Sequence, residues 1–221
     1  MKKDNKFGFT LSELLIVLFI VGVIVALTLP SLLKDIRAKS NMNALTSTID
    51  NLQKIIENEL TESRAQRLQD TRILGSTEDL EAFMRELNVA PDNQRAFGAS
   101  YKNADGGTVQ GWERPANRVL LKNGVGLAIV DNGDASCVDV IIDVNGQKGP
   151  NTFGRDYYVA CIVKVDDNNG HHMGDIGGRT DLNEANLSTL CRQNNAAACY
   201  RMAEISGFNP RYLDELIKRS E

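Results

Sequence analysis

Glu13 is the residue whose chemistry most needs explaining. It lies in "GFTLSELLIVLFIVGVIVALTLP", which begins at Gly8, and from Leu14 to Leu33 the chain carries no charge. That apolar run has the length of a bilayer-spanning helix. A carboxylate at its start costs roughly 2–3 kcal/mol even on mild insertion scales, so it calls for a named partner. Cleavage between Gly8 and Phe9 would make one, because Phe9 would then carry an α-amino group. That cation would lie near Glu13 of its own chain, and near Glu13 of a parallel neighbour displaced along the axis. An ion pair in a low dielectric is strong and offsets part of its desolvation.

Other side chains offer weaker chemistry. Cys191 and Cys199 are eight apart across the small, polar "RQNNAAA", a spacing that suits a local disulfide in an exported domain. Cys137 and Cys161 suit a disulfide less well, since strand alternation turns Cys161 inward and leaves Cys137 on the side of Asp139, and their state stays open at this point. Two sets of loop oxygens could hold calcium: Asp143, Asn145, Asn151 and Asp156, or Asp131, Asp134, Asp166 and Asp167. Neither has the full EF-hand spacing, and Asx-Gly turns account for the same residues without metal. His171 and His172 are adjacent in a glycine-rich stretch and lack zinc-site spacing. No G-x-S-x-G elbow occurs, and without a G-x-x-x-x-G-K-[ST] phosphate loop the chain is not expected to hydrolyse nucleoside triphosphates itself.

The elements that must position these residues follow from pattern. The chain has 221 residues and a net charge of −4, which gives no broad electrostatic grip on nucleic acid. Beyond the apolar run, Leu45, Ile49, Leu52, Ile56 and Leu60 form one stripe, so the helix is expected to continue from Phe9 to about Leu60. Pro30 removes a backbone donor and is expected to kink it. "STEDLEAFMREL" predicts a second helix capped by Ser76 and ended by Pro91, with Leu80, Phe83, Met84 and Leu87 buried. From residue 118 to about 165 the period falls to two. A hairpin turns at Asn123-Gly124, Val138, Val140, Ile142 and Val144 share one face, and Val159, Cys161, Val163 and Val165 share another. These strands predict an antiparallel meander whose apolar face packs on the helix stripe, an α+β arrangement. Asn209-Pro210 opens a last short helix.

The N-terminus resembles that of type IV prepilins and type II secretion pseudopilins. The resemblance rests on Gly8 followed by Phe9-Thr10-Leu11-Ser12-Glu13, a short basic leader, an apolar helix with Gly22, and Pro30. Ser12 departs from the commoner aliphatic residue at its position. The resemblance implies that residues 1–8 are a leader removed by a prepilin peptidase, which then methylates Phe9. It implies that residues 9–33 are the transmembrane and assembly helix, that Glu13 directs its packing, and that residues 34–221 form a head carrying the second half of the helix. It further implies a structural subunit of a type IV pilus or a secretion pseudopilus, with other subunits, an inner-membrane assembly platform and membrane lipid as partners. The location implied is a single pass of the bacterial inner membrane with a periplasmic head. The assembled filament would be periplasmic or on the cell surface. "DVNGQKGPNTFGRDYY" is similar to a loop of pseudopilin-like proteins, some of which use calcium there. Two alternatives stand beside it: a membrane-tethered binding module, such as a tip adhesin or a calcium-dependent receptor, that does not polymerise, and an anchored enzyme whose site the sequence does not reveal.

Overall fold

A computed structural model describes residues 10–166 and 170–218. Gly8, Phe9 and Asp167 lie outside the described residues. The chain divides into two units, Met1–Ala38 and Lys39–Glu221. Helix α1, Leu11–Ser63, contributes to both.

In the first unit α1 is apolar on every side. The large hydrophobic side chains between Leu11 and Ile36 are 42–79% exposed. A helix apolar all round has to be covered by something other than water. Among the described residues, α1 is the one helix long and apolar enough to cross a membrane. Pro30 lies inside it. Thr28 Oγ1 donates to the carbonyl of Ile24 (2.9 Å) and Ser31 Oγ to that of Thr28 (2.8 Å), so nearby hydroxyls stay within the helix's own hydrogen bonding.

In the second unit the stripe on α1 is buried: Met42, Leu45, Ile49, Leu52 and Ile56 join one apolar core. Helix α2, Thr77–Arg85, has the expected capping box. Ser76 Oγ accepts from Asp79 N (3.2 Å) and Asp79 Oδ2 accepts from Ser76 N (3.0 Å). Leu80, Phe83, Met84 and Leu87 are buried.

The meander is a five-stranded antiparallel sheet in sequence order: β1 Arg118–Leu120, β2 Gly126–Val130, β3 Cys137–Asp143, β4 Tyr157–Val163 and β5 Ile176–Gly177. The β1–β2 turn is closed by Gly124 N to Leu121 O (2.9 Å), with Gly124 at φ +90°. The short β5 lies beyond the predicted span and is tied to α1 by Ile176 N donating to Gln53 Oε1 (2.9 Å). Three α-helices close the chain: α3 Leu187–Arg192, α4 Ala196–Ile205 and α5 Pro210–Lys218. Asn209 caps α5 through Oδ1, which accepts from Arg211 N (3.1 Å).

The register corrects the expected facing of β4. Val138, Val140 and Ile142 pair with Ile162, Ala160 and Tyr158, and these six are fully buried. Val159, Cys161 and Val163 therefore lie on the opposite face, with Asp139 and Ile141. Val165, placed inward by the alternation, is 56% exposed. Strand β4 is apolar on both faces, and hydrophobic alternation cannot orient such a strand. The correction extends to the cysteines. Cys161 and Cys137 share a face, and they are joined in a disulfide with Cα atoms 5.5 Å apart.

Candidate functional site

The structure gives Glu13 a partner within its own helix. Thr10 is the residue before α1, and its carbonyl accepts the first helical bond from Leu14 N (3.2 Å). Glu13 Oε2 accepts from Thr10 N and from Thr10 Oγ1, each at 2.8 Å. Thr10 Oγ1 in turn accepts from Glu13 N at 3.3 Å. This is a reciprocal capping box, which satisfies two amides that the start of a helix would otherwise leave unpaired. Ser12 Oγ lies 3.1 Å from Thr10 Oγ1. Sequence reasoning did not link Thr10 or Ser12 to the Glu13 carboxylate, although Thr10-x-x-Glu13 has the spacing of a capping box and would have found the first.

A family model, the prokaryotic N-terminal methylation motif, matches residues 3–29. The chain carries a prepilin-type N-terminal signal. No curated protein and no solved structure gives a significant match to the chain. The prepilin-type signal is that of a type IV pilin-like or pseudopilin-like subunit that is processed and built into a larger assembly. The matched residues include Gly8, Phe9 and Glu13, and they end just before Pro30.

The first set of loop oxygens does come together, below the end of the sheet. Asp143 and Asp156 are both fully buried. Asp143 Oδ2 accepts from the Tyr101 hydroxyl and Oδ1 from Asn145 N (3.1 Å). Asp156 Oδ2 accepts from Asn151 N (2.7 Å) and Asn145 Nδ2 (3.2 Å), and Oδ1 accepts from Thr152 N. Burial pushes the Asp143 carboxyl up to about 8, against the pull of these hydrogen bonds, and raises Asp156 as well. Tyr101 is itself packed between Trp112 and Tyr157, with ring centroids 4.5 and 4.6 Å away. All four carboxylate oxygens thus already accept hydrogen bonds, mostly from main-chain N–H groups that a cation would have to displace. Asn145 Oδ1 and Asn151 Oδ1 are buried without a hydrogen-bond partner among the described residues. This donor set fits a hydrogen-bonded loop clamp better than a calcium cage.

The second set is neutralised by the protein's own cations. Lys164, almost fully buried, donates to Asp131 Oδ1 (2.7 Å) and to the carbonyl of Asp134 (2.6 Å). Arg179 bonds Asp134, and reaches Asp139 Oδ1 (3.2 Å) and Asp181 Oδ1 (3.1 Å). Hydrogen bonds from Ser136 and Arg179 lower the Asp134 carboxyl to about 2, and the Lys164 ammonium lowers Asp131. Asp166 accepts instead from Met173 N (2.8 Å). Among the described residues no group of three or more His, Cys, Asp or Glu side chains is placed to hold a metal ion.

The second disulfide lies close to the loop clamp. Cys191 and Cys199 are bonded with Cα atoms 4.7 Å apart. Their sulfurs sit so close to Gly154 (φ +78°) that a Cβ there would fall 3.2 and 3.3 Å from them. The carbonyl of Gly154 accepts from the buried Tyr158 hydroxyl (2.8 Å), and that of Arg155 from Asn41 Nδ2 on α1 (3.1 Å). The loop between β3 and β4 is thereby held by the sheet, by α1 and by the C-terminal helices.

Proposed function

We propose that this chain is a structural subunit of a type IV pilus or a type II secretion pseudopilus. A prepilin peptidase cuts between Gly8 and Phe9 and the new N-terminus is methylated. The apolar part of α1 then holds the subunit in the inner membrane as a single pass, with the head in the periplasm. Glu13 meets the Phe9 amine of a neighbouring chain as the helices pack in parallel, and Pro30 loosens the helix where it leaves that packing. An inner-membrane platform draws the subunit from lipid into the filament, and the energy comes from other chains.

The observation that carries this reading is a match to the methylation motif in which a lone carboxylate opens a span-length apolar helix. A tethered receptor has no use for a carboxylate at that depth, whereas stacked parallel helices do. The test is Glu13→Ala in cells that hold the peptidase and the assembly machinery. The mature chain should begin at Phe9 by mass spectrometry, yet fail to enter sedimentable filaments or crosslinked oligomers. A chain isolated with its lysine-rich leader intact would overturn the reading.

A further inference from the structure

The three polar side chains at the start of α1 form a chain with a fixed direction. An ionised carboxylate only accepts hydrogen bonds, so the contact between Thr10 Oγ1 and Glu13 Oε2 at 2.8 Å uses the single hydroxyl hydrogen of Thr10. The Ser12 hydroxyl, 3.1 Å from Thr10 Oγ1, must then be the donor in that contact. The order is Ser12 to Thr10 to Glu13. Each donor in such a chain polarises the next, and the effect is largest where water is excluded. Glu13 Oε2 takes both bonds from Thr10, while Oε1 accepts none among the described residues.

We propose that Ser12 is a positioning residue for assembly: acting through Thr10, it ties one Glu13 oxygen to the start of its own helix and leaves the other open to the amine of a neighbouring chain. This rests on the reading of Glu13 as the assembly carboxylate. A glutamate side chain in lipid with nothing to hold it samples several rotamers, and ordering it on contact costs entropy. The Ser12–Thr10 chain orders it beforehand, at an end of the helix where the backbone amides already favour negative charge.

The experiment uses the full-length precursor, expressed with its peptidase and assembly machinery, as wild type, Ser12→Ala, Ser12→Thr, Thr10→Val and Glu13→Ala. Three quantities are read: the mass of the mature chain, the fraction in sedimentable or crosslinked assemblies, and the carboxyl ¹³C resonance of Glu13 in the processed chain in lipid nanodiscs. Ser12→Ala should be processed normally, shift the Glu13 resonance and lower the assembled fraction about three-fold, the effect of one hydrogen bond. Thr10→Val should do the same more strongly, and Ser12→Thr should restore both readouts. If Ser12→Ala matches wild type in either readout while Glu13→Ala abolishes assembly, the role of Ser12 is overturned and the assembly reading stands. Failure of Ser12→Ala to be processed also overturns it, since Ser12 would then serve peptidase recognition. If Glu13→Ala assembles normally, the assembly reading falls and the role of Ser12 falls with it.

Discussion

Asp139 stands directly opposite Cys161 across the β3–β4 ladder, and Cys137, two residues along the same face, reaches Cys161 on the diagonal. The Cα atoms of the two cysteines are 5.5 Å apart, within the span of a disulfide. The disulfide therefore fixes the register of the two central strands, in which a slip of one residue would turn every side chain to the wrong face.

Both disulfides should contribute to stability through loop closure, the longer loop more. With sequence separations of 24 and 8 residues, chain-entropy reasoning assigns about 3.5 kcal/mol to Cys137–Cys161 and about 2.6 kcal/mol to Cys191–Cys199. Denaturant unfolding of Cys137→Ala/Cys161→Ala and Cys191→Ala/Cys199→Ala variants of the full chain in detergent tests this order. The reverse order would mean that packing of the Cys191–Cys199 bridge on Gly154 outweighs loop length.

Glu59 is a buried charge near the end of α1, and its stability depends on Arg72. Arg72 donates to Glu59 Oε2 through Nε (2.8 Å) and through a terminal nitrogen (2.5 Å), and its amide donates to Oε1 (2.8 Å). Burial works to raise the Glu59 carboxyl, but the Arg72 hydrogen bonds outweigh it and hold the group below its ordinary value. Arg72→Met should destabilise the head by roughly 3 kcal/mol, because it strands a buried carboxylate. Adding Glu59→Met should recover much of that loss. A double-mutant cycle reads the coupling, and two independent, additive losses would show that the pair is not coupled.

How much of this was legible depended on whether charge marked one face of an element. In β3, Asp139 and Asp143 interrupt the valines and isoleucines, and the buried face was read correctly from them. In β4, "YYVACIV" offers no such mark, so its facing came only from the register, and the Cys137–Cys161 bond followed from that. Helix α4 is built on "AAACYRMAEI" and is buried nearly all round, which leaves no amphipathic period to find. At the N-terminus the anomaly was visible because one carboxylate stands in an apolar run. The spacing Thr10-x-x-Glu13 also carried its hydroxyl partner, but the contact of Ser12 with Thr10 follows from no sequence pattern. The acidic loops drew attention as metal sites because sequence shows which residues are acidic. It does not show that Lys164 and Arg179 fold back onto them.

Gly126 should be far less tolerant of substitution than Gly124, two residues away. A Cβ on Gly126 would lie 1.7 Å from the carbonyl oxygen of Ala96, a backbone atom that cannot turn aside, whereas Gly124 faces open space. Gly124→Ala meets only the strain of a left-handed backbone, about 1 kcal/mol. Gly126→Ala must part β2 from the segment at Ala96 and should cost about 3 kcal/mol. Thermal unfolding of the two variants checks the difference. Equal losses would mean that the approach at Ala96 relaxes freely.

Acidification should stabilise the loop between β3 and β4. Burial pushes the Asp143 carboxyl up to about 8 and raises Asp156 as well, and among the described residues neither forms an ion pair with a lysine or arginine within hydrogen-bonding reach. A carboxyl whose folded pKa is raised contributes its full stability below its unfolded value, near 4, and loses that contribution as pH climbs through the folded value. For Asp143 the window is therefore about pH 4 to 8, and the hydrogen-exchange protection of residues 144–156, taken relative to the intrinsic rate at each pH, should fall across it. Asp131 and Asp134 have the opposite sign: both are lowered, Asp134 to about 2, so their contribution is lost only in stronger acid. Asp143→Asn keeps the shape of the protonated acid and can donate to the Tyr101 oxygen, so the protection factors of its loop should stay high and even from pH 5 to 8. Millimolar calcium should not slow exchange of the wild-type loop at pH 8, because the two carboxylates are already turned onto the Tyr101 hydroxyl and main-chain N–H groups of the loop rather than onto a shared cation position. Calcium protection that is lost in Asp143→Asn would show instead that a cation takes the place assigned here to a proton.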